Sequence, residues 1–235
     1  MTARLAVVLT AVIAVVASVA PASAQQGDEA PSLRRNHVTL AGGFNWAGSY
    51  PIGDATAELR GNGLGASPPP FTYFRAESSV DATIGGEFRF GFGLSRDLSV
   101  ELGVGYSTPG IRAELSQDAE AAAVTLDAEQ LAQYVVDVGA TWQLPRPVIA
   151  GRVRPFLTGG AGYLRQLYDE RTLVETGSIY YAGGGVRVWL QGGDGQRRSL
   201  GVRSDVRATW RRDGVEFEEK TRVWPSVTAM IFWEP

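Results

Sequence analysis

The chain has 235 residues, a formal net charge of −3 and a mean hydropathy of −0.06. It has no cysteine and one histidine, which excludes a disulfide framework and thiolate metal sites and leaves no strong transition-metal site. The acidic balance argues against nucleic acid as a partner, and past residue 24 no stretch is long and apolar enough to cross a membrane as a helix.

The first residues, Met-Thr-Ala-Arg, precede an apolar run from Leu5 to Ala20 and then Pro21-Ala22-Ser23-Ala24. A basic start, a short apolar core and a small-x-small end describe a secretory signal peptide, removed after Ala24. The run is shorter than the roughly 20 residues of a spanning helix. Residues 25–36 are polar and read as a periplasmic lead, and 37–235 as one domain.

A first strand is expected from about His37 to Gly48, with Val38, Leu40, Phe44 and Trp46 on one face and His37, Thr39 and Asn45 on the other. Ser49 to Ser79, with Gly61-Asn62-Gly63-Leu64-Gly65 and Pro68-Pro69-Pro70-Phe71-Thr72-Tyr73-Phe74, reads as a long loop. The clearest signal follows, a hairpin from Asp81 to Tyr106 turning at Ser95-Arg96-Asp97. Its even positions from Ala82 to Tyr106 form an apolar face, and its odd positions carry Glu87, Arg89, Glu101 and several glycines.

Beyond Ile111 an Ala-, Asp- and Glu-rich segment to Glu129 reads either as a loop with a helical turn or as the flared end of a strand. Four more strands follow, at about Gln130 to Leu144, Val153 to Tyr168, Ile179 to Leu190 and Leu200 to Trp210, and a last one ends at Trp233. They place Asp137, Arg187, Arg203, Asp205 and Arg207 opposite their apolar faces. Asp213-Gly214 or Glu218-Glu219-Lys220 supplies the final turn.

One oily and one charged face fit two closed sheets: a soluble lipocalin-like barrel with the oily face inside, or a membrane barrel with it outside. Glycines beside Glu87, Arg89 and Glu101 favour the second, because a narrow interior needs room for long charged groups and a solvated surface does not. Long connections after strands one, three and five alternate with short ones, as extracellular loops alternate with periplasmic turns. Aromatics collect near strand ends: Trp46, Tyr106, Tyr134, Tyr180 and Trp210 on the loop side, and Phe92, Trp142, Trp189 and Trp233 on the turn side. Of the tryptophans, Trp189 and Trp224 have inward parity.

Repeated phrases such as Arg154-Pro155-Phe156-Leu157-Thr158-Gly159-Gly160-Ala161-Gly162-Tyr163, Gly183-Gly184-Gly185-Val186-Arg187 and Met230-Ile231-Phe232-Trp233 resemble the outer-membrane β-barrel domain family, the eight-stranded barrels of the OmpA, OmpX and OmpW type. The resemblance covers about His37 to Trp233. It implies an all-β chain, an eight-stranded antiparallel up-and-down transmembrane β-barrel in the cell outer membrane. Outer-membrane lipid and the outer-membrane insertion machinery would be its partners, and a monomer is expected. Two departures from the family pattern stand out: Glu234-Pro235 follow the terminal aromatic, and a barrel without the peptidoglycan-binding domain of full OmpA-like proteins is expected.

Glu87, Arg89, Glu101, Asp137, Arg187, Arg203, Asp205 and Arg207 must pair in so narrow an interior, since an isolated buried charge is far too costly. They are read as a charge network filling the lumen or, less simply, as the lining of a narrow polar path. No catalytic residue and no cofactor are expected. Barrels of this compartment that act on lipid A use a rim histidine with serine and a carboxylate, whereas His37 stands at the periplasmic start of the first strand. Each acid has an arginine nearby, which argues against acid-base work. Phe71, Tyr73 and Phe74 are candidates for contact with an unidentified extracellular partner. The expected function is a non-enzymatic, structural or surface-interaction role, with a passive channel for small polar or amphipathic solutes and a soluble lipocalin-like binder as alternatives.

Overall fold

The computed structural model describes residues 37–60, 70–116, 123–145, 152–168, 174–191, 198–213 and 222–235. The expected signal peptide, the polar lead, Gly61 to Gly65 and the turns at Gly192 to Gly195 and Glu218 to Lys220 lie outside the described residues.

The strands in chain order are β1 (Val38–Ala47), β2 (Tyr50–Leu59), β3 (Phe71–Val80), β4 (Thr83–Gly93), β5 (Leu98–Ser107), β6 (Gly110–Ser116), β7 (Val124–Gln143), β8 (Val153–Tyr168), β9 (Val174–Gln191), β10 (Ser199–Asp213) and β11 (Arg222–Glu234). Eight of them close a ring in the order β1, β4, β5, β7, β8, β9, β10, β11, all antiparallel, and β1 returns to β11 with Leu40 opposite Trp233. The fold is an eight-stranded antiparallel up-and-down transmembrane β-barrel. Both described ends of the chain and the 94–97 turn lie at one end, the turn end; the β2–β3 and β6–β7 connections lie at the other, the loop end.

The strict alternation of β4 and β5 shows why the wall is two-sided. Ile84, Phe88, Phe90, Phe92, Leu98, Val100, Leu102, Val104 and Tyr106 are exposed, whereas Glu87, Arg89, Ser99 and Glu101 are buried. A folded chain leaves such a belt outside only where the surroundings are themselves apolar, so the outer wall faces lipid. A soluble lipocalin-like barrel would need the reverse arrangement. The belt continues through Tyr134, Val136, Val138 and Trp142 on β7, Leu157 and Tyr163 on β8, Val206 on β10 and Ile231 on β11, all exposed.

The reading of Ser49 to Ser79 as a long loop is corrected. β2 and β3 pair with each other and continue β1 and β4 past the barrel, while β6 continues β5 and pairs with the outer part of β7. The result is a four-stranded extension at the loop end, and the flared-strand reading of the segment after Ile111 is the one that holds. The bend falls at Gly48-Ser49, Asp81-Ala82 and Thr108-Pro109. There the buried set of the first chain segment switches from odd positions, such as Thr39, to even ones, Tyr50 and Ile52. The face turned inward becomes apolar, and Asp54, Glu77 and Glu114 become exposed. β2 leaves β11 here, after a last backbone bond from Gly48 N–H to the Pro225 carbonyl (2.8 Å), and its outer edge has no strand partner among the described residues.

Trp189 is also corrected. It is buried inside the turn end, not part of a girdle, and Trp224 is buried inside the loop end. Their inward parity decides the matter. Four of the remaining girdle aromatics pair across strands on the outside, Tyr106 with Tyr134 (5.0 Å between ring centres) and Tyr180 with Trp210 (6.2 Å).

Candidate functional site

The barrel interior is stacked in three layers, and its middle layer holds the candidate residues. Glu87 and Arg89 on β4, Glu101 on β5, Asp137 on β7, Arg187 on β9, and Arg203, Asp205 and Arg207 on β10 are all buried in the lumen. Nearest the turn end, Glu101 accepts bonds from Arg203 Nη1 (2.6 and 2.7 Å) and Arg187 Nη2 (3.0 Å). Nearer the loop end, Glu87 accepts from Asn45 (2.8 Å), Arg207 (3.1 Å) and Arg89. Arg89 also donates to Asp137 (3.1 and 3.3 Å). Asp205 joins the two groups, accepting from Arg203 (3.1 Å) and Arg207 (3.2 Å).

Charges this deep survive only when every one is paired and hydrogen-bonded, because desolvation costs several kcal/mol per ion. Aromatic side chains complete the packing. Tyr181 donates to Asp137 (2.8 Å), accepts from Arg89 (3.1 Å), and has the guanidinium carbons of Arg89 and Arg207 at 5.4 and 5.0 Å from its ring centre. Phe156 carries Arg203 at 4.5 Å. Glycines make the space: a Cβ on Gly160 would come 2.6 Å from the Tyr181 hydroxyl oxygen, and one on Gly162 2.6 Å from the Asp137 Cβ.

Below the network, Ala41, Trp189, Met230 and Phe232 form an apolar layer, with Trp189 and Phe232 edge to face at 5.7 Å. At the turn-end rim, Glu234 accepts from Ser199 Oγ (2.7 Å) and Thr39 Oγ1 (3.4 Å), and His37 Nε2 lies 3.9 Å from it. Serine, histidine and carboxylate thus meet, but the serine bonds to the carboxylate and not to the imidazole, so the order of a nucleophilic triad is missing.

Above the network lies a cavity of about 80 Å³, lined by Asn45, Ser107, Gln133, Tyr181, Thr209 and Ser226 among others. It carries several hydrogen-bonding groups on a largely apolar lining and has room for a few water molecules. An apolar plug stands on its loop-end side, made of Tyr50, Ile52, Val80, Leu131 and Trp224, with Tyr50 stacked on Trp224 at 4.5 Å. Arg211 Nη1 donates to the Tyr50 hydroxyl (3.1 Å) and Gln166 (3.3 Å), and Arg222 to the Ile52 carbonyl (3.3 Å).

Sequence reasoning places the eight charges on the inner face but misses several of their neighbours. Arg211 extends the Arg203, Asp205, Arg207, Thr209 alternation by one step, a signal present in the sequence. Arg154, bonded to Asp97 and to the Leu144 carbonyl (3.1 Å), shares parity with Phe156 and Thr158. Phe71, Tyr73 and Phe74 lie on strand β3 and not in a loop; Phe71 is exposed, and Tyr73 and Phe74 meet at 5.9 Å. The described residues contain no group of acids or histidines suited to a metal ion.

No family model and no curated protein matches the chain. Solved structures similar to it include the outer membrane protein OprG from Pseudomonas aeruginosa, at 10% identity over 88% of this chain and 98% of that one, with a TM-score of 0.48. The N-terminal β-barrel domain of Pseudomonas aeruginosa OprF is 10% identical over 85% and 99%, with a TM-score of 0.40. The outer membrane protein AlkL, solved in DMPC bilayers, is 16% identical over 92% and 96%, with a TM-score of 0.37. With TM-scores this low, none of them bears on what this barrel does.

Proposed function

We propose that the chain is an outer-membrane barrel without enzymatic activity, whose closed lumen serves rigidity and whose loop-end extension carries its role at the cell surface. The observation that carries this reading is the filling of the barrel below its cavity. Apolar layer and ion-pair network follow one another without a gap in the pairing, and Arg89, Arg187, Arg203 and Arg211 are each 2% exposed or less. A path for solutes would need a charge free to face them, and each of the four acids and four arginines is ion-paired inside the network.

The extension supports the surface half of the proposal. Among the described residues β2 is an edge strand, which an extended segment of another protein could extend as a further strand. Phe71, Tyr73 and Phe74 stand on the neighbouring strand. Outer-membrane lipid surrounds the barrel as a monomer, and the insertion machinery places it there.

Conductance across a planar bilayer tests the closed lumen. The inserted barrel should give no current steps, and an Arg203→Ala/Arg207→Ala variant, whose two apolar layers are intact, should stay silent as well. Reproducible steps in the unaltered protein, with ion selectivity that changes in the variant, would put the channel reading first.

A further inference from the structure

We propose that the outer wall formed by β8, β9 and β10 binds the anionic phosphate of a membrane lipid headgroup through Arg165 and Arg212. The proposal rests on the membrane-barrel reading and adds a ligand to it. Outward positions on these strands run apolar, then aromatic, then cationic toward the loop end: Leu157, Ala161, Tyr163, Arg165 on β8 and Val206, Ala208, Trp210, Arg212 on β10. Both arginines are exposed, and neither has an ion-pair partner among the described residues.

The register brings them together. Arg165 lies opposite Thr176 of β9, and Arg212 lies opposite Ser178 of the same strand, which on its other side faces Tyr163. Two strands apart and two residues out of step, their Cα atoms are roughly 12 Å apart by strand geometry. Two long side chains can therefore converge on one anion above β9, with the Thr176 and Ser178 hydroxyls between them. A guanidinium fork matches phosphate oxygens in shape and charge.

Position selects the lipid as the source of that phosphate. The Tyr180–Trp210 pair lies just below on the same wall, and such aromatics mark the boundary of the hydrocarbon. Arg212 is the next outward residue after Trp210, at headgroup level, with the apolar wall beneath to take the acyl chains. On the outer faces of the eight barrel strands no described side chain is a carboxylate. The exposed acids Asp54, Glu58, Glu77 and Glu114 belong to the extension, half-buried Glu175 has the inward parity of β9, and Asp213 stands at the strand end with a left-handed φ of 65°. An arginine pair with no counter-ion among the described residues, at a lipid boundary, draws an anion, and the headgroup is the one that is always there.

The test inserts the barrel into phosphatidylcholine nanodiscs doped with lipid A, releases it in mild detergent and counts retained lipid by native mass spectrometry. The protein should keep lipid A, Arg165→Gln/Arg212→Gln should lose it by about tenfold or more, and Arg75→Gln/Arg112→Gln on the extension should keep it. Millimolar inorganic phosphate should not displace it. Equal retention by the Arg165→Gln/Arg212→Gln variant overturns the proposal. So does equal retention of dephosphorylated lipid A, which would make the contact apolar, and so does displacement by phosphate, which would make it a free-anion site. Insertion is followed separately by heat-modifiable gel mobility. A barrel that does not insert defeats the membrane reading itself, whereas an inserted barrel without retention defeats only this inference.

Discussion

Arg203 and Glu101, 102 positions apart in the chain, meet across the lumen through two hydrogen bonds of 2.6 and 2.7 Å. The pair ties β10 to β5, strands that share no backbone ladder. Arg203→Met should leave Glu101 short of a partner in a dry interior and cost about 3–5 kcal/mol. Glu101→Gln/Arg203→Met should cost clearly less than the two single changes added, because no charge is then stranded between them. Urea unfolding of the refolded barrel in lipid vesicles measures both. Additive single changes would show that the two residues are not coupled.

Tyr181 fits only because its neighbours have no side chains. Gly160→Ala should push its hydroxyl away from Asp137 and destabilise the barrel by about 1–3 kcal/mol, the usual cost of overpacking. Gly86→Ala is the matched control, since a Cβ there meets nothing within 4 Å. Its effect should be within about 1 kcal/mol of zero and of either sign. If Gly160→Ala is as mild as Gly86→Ala, the inner glycines are not there for space.

How much of this was readable in the sequence depends on what a strand's period can encode. Period two assigns a face, so Glu87, Arg89 and Glu101 are inward from the pattern alone. It gives no height, which is set by the stagger of all eight strands around the barrel. Hence Arg203 and Glu101 are recognisable as inward but not as partners. The extension was hidden for a different reason. Past Gly48 and Ser49 the buried positions switch to Tyr50 and Ile52, and a register shift between Pro51 and Gly53 breaks the alternation again, so the period gives no clear strand there. Trp189 was visible as inward and was outweighed by its place near a strand end.

Tyr50 and Trp224, stacked at the loop end, should hinder passage between the inner cavity and the outside. The chain has no cysteine, so a single one introduced as Ser226→Cys reports on access to that cavity. A membrane-impermeant maleimide should label it slowly in the otherwise unaltered barrel, and about tenfold faster or more once Tyr50→Ala/Trp224→Ala removes the stack, given how fully such a pair excludes water. Conductance should stay absent in that variant, because the ion-pair layer beneath is intact. Rapid labelling with the plug in place would mean that the extension does not close the barrel.

The apolar belt faces lipid, and the cost of a charge on it should therefore depend on depth. Val138 is 54% exposed in the middle of β7, whereas Val223, 62% exposed, begins the belt at the loop end of β11. In a bilayer Val138→Arg should cost about 2–4 kcal/mol and Val223→Arg no more than about 1, because the second side chain reaches the headgroups. A protein in water would show no such gradient, and Val138→Arg would if anything improve its solubility. Unfolding free energies of the two variants in vesicles decide the point: equal, small costs would take the belt out of the membrane, while a gradient of this size would fix both its membrane position and the height of its midplane on β7.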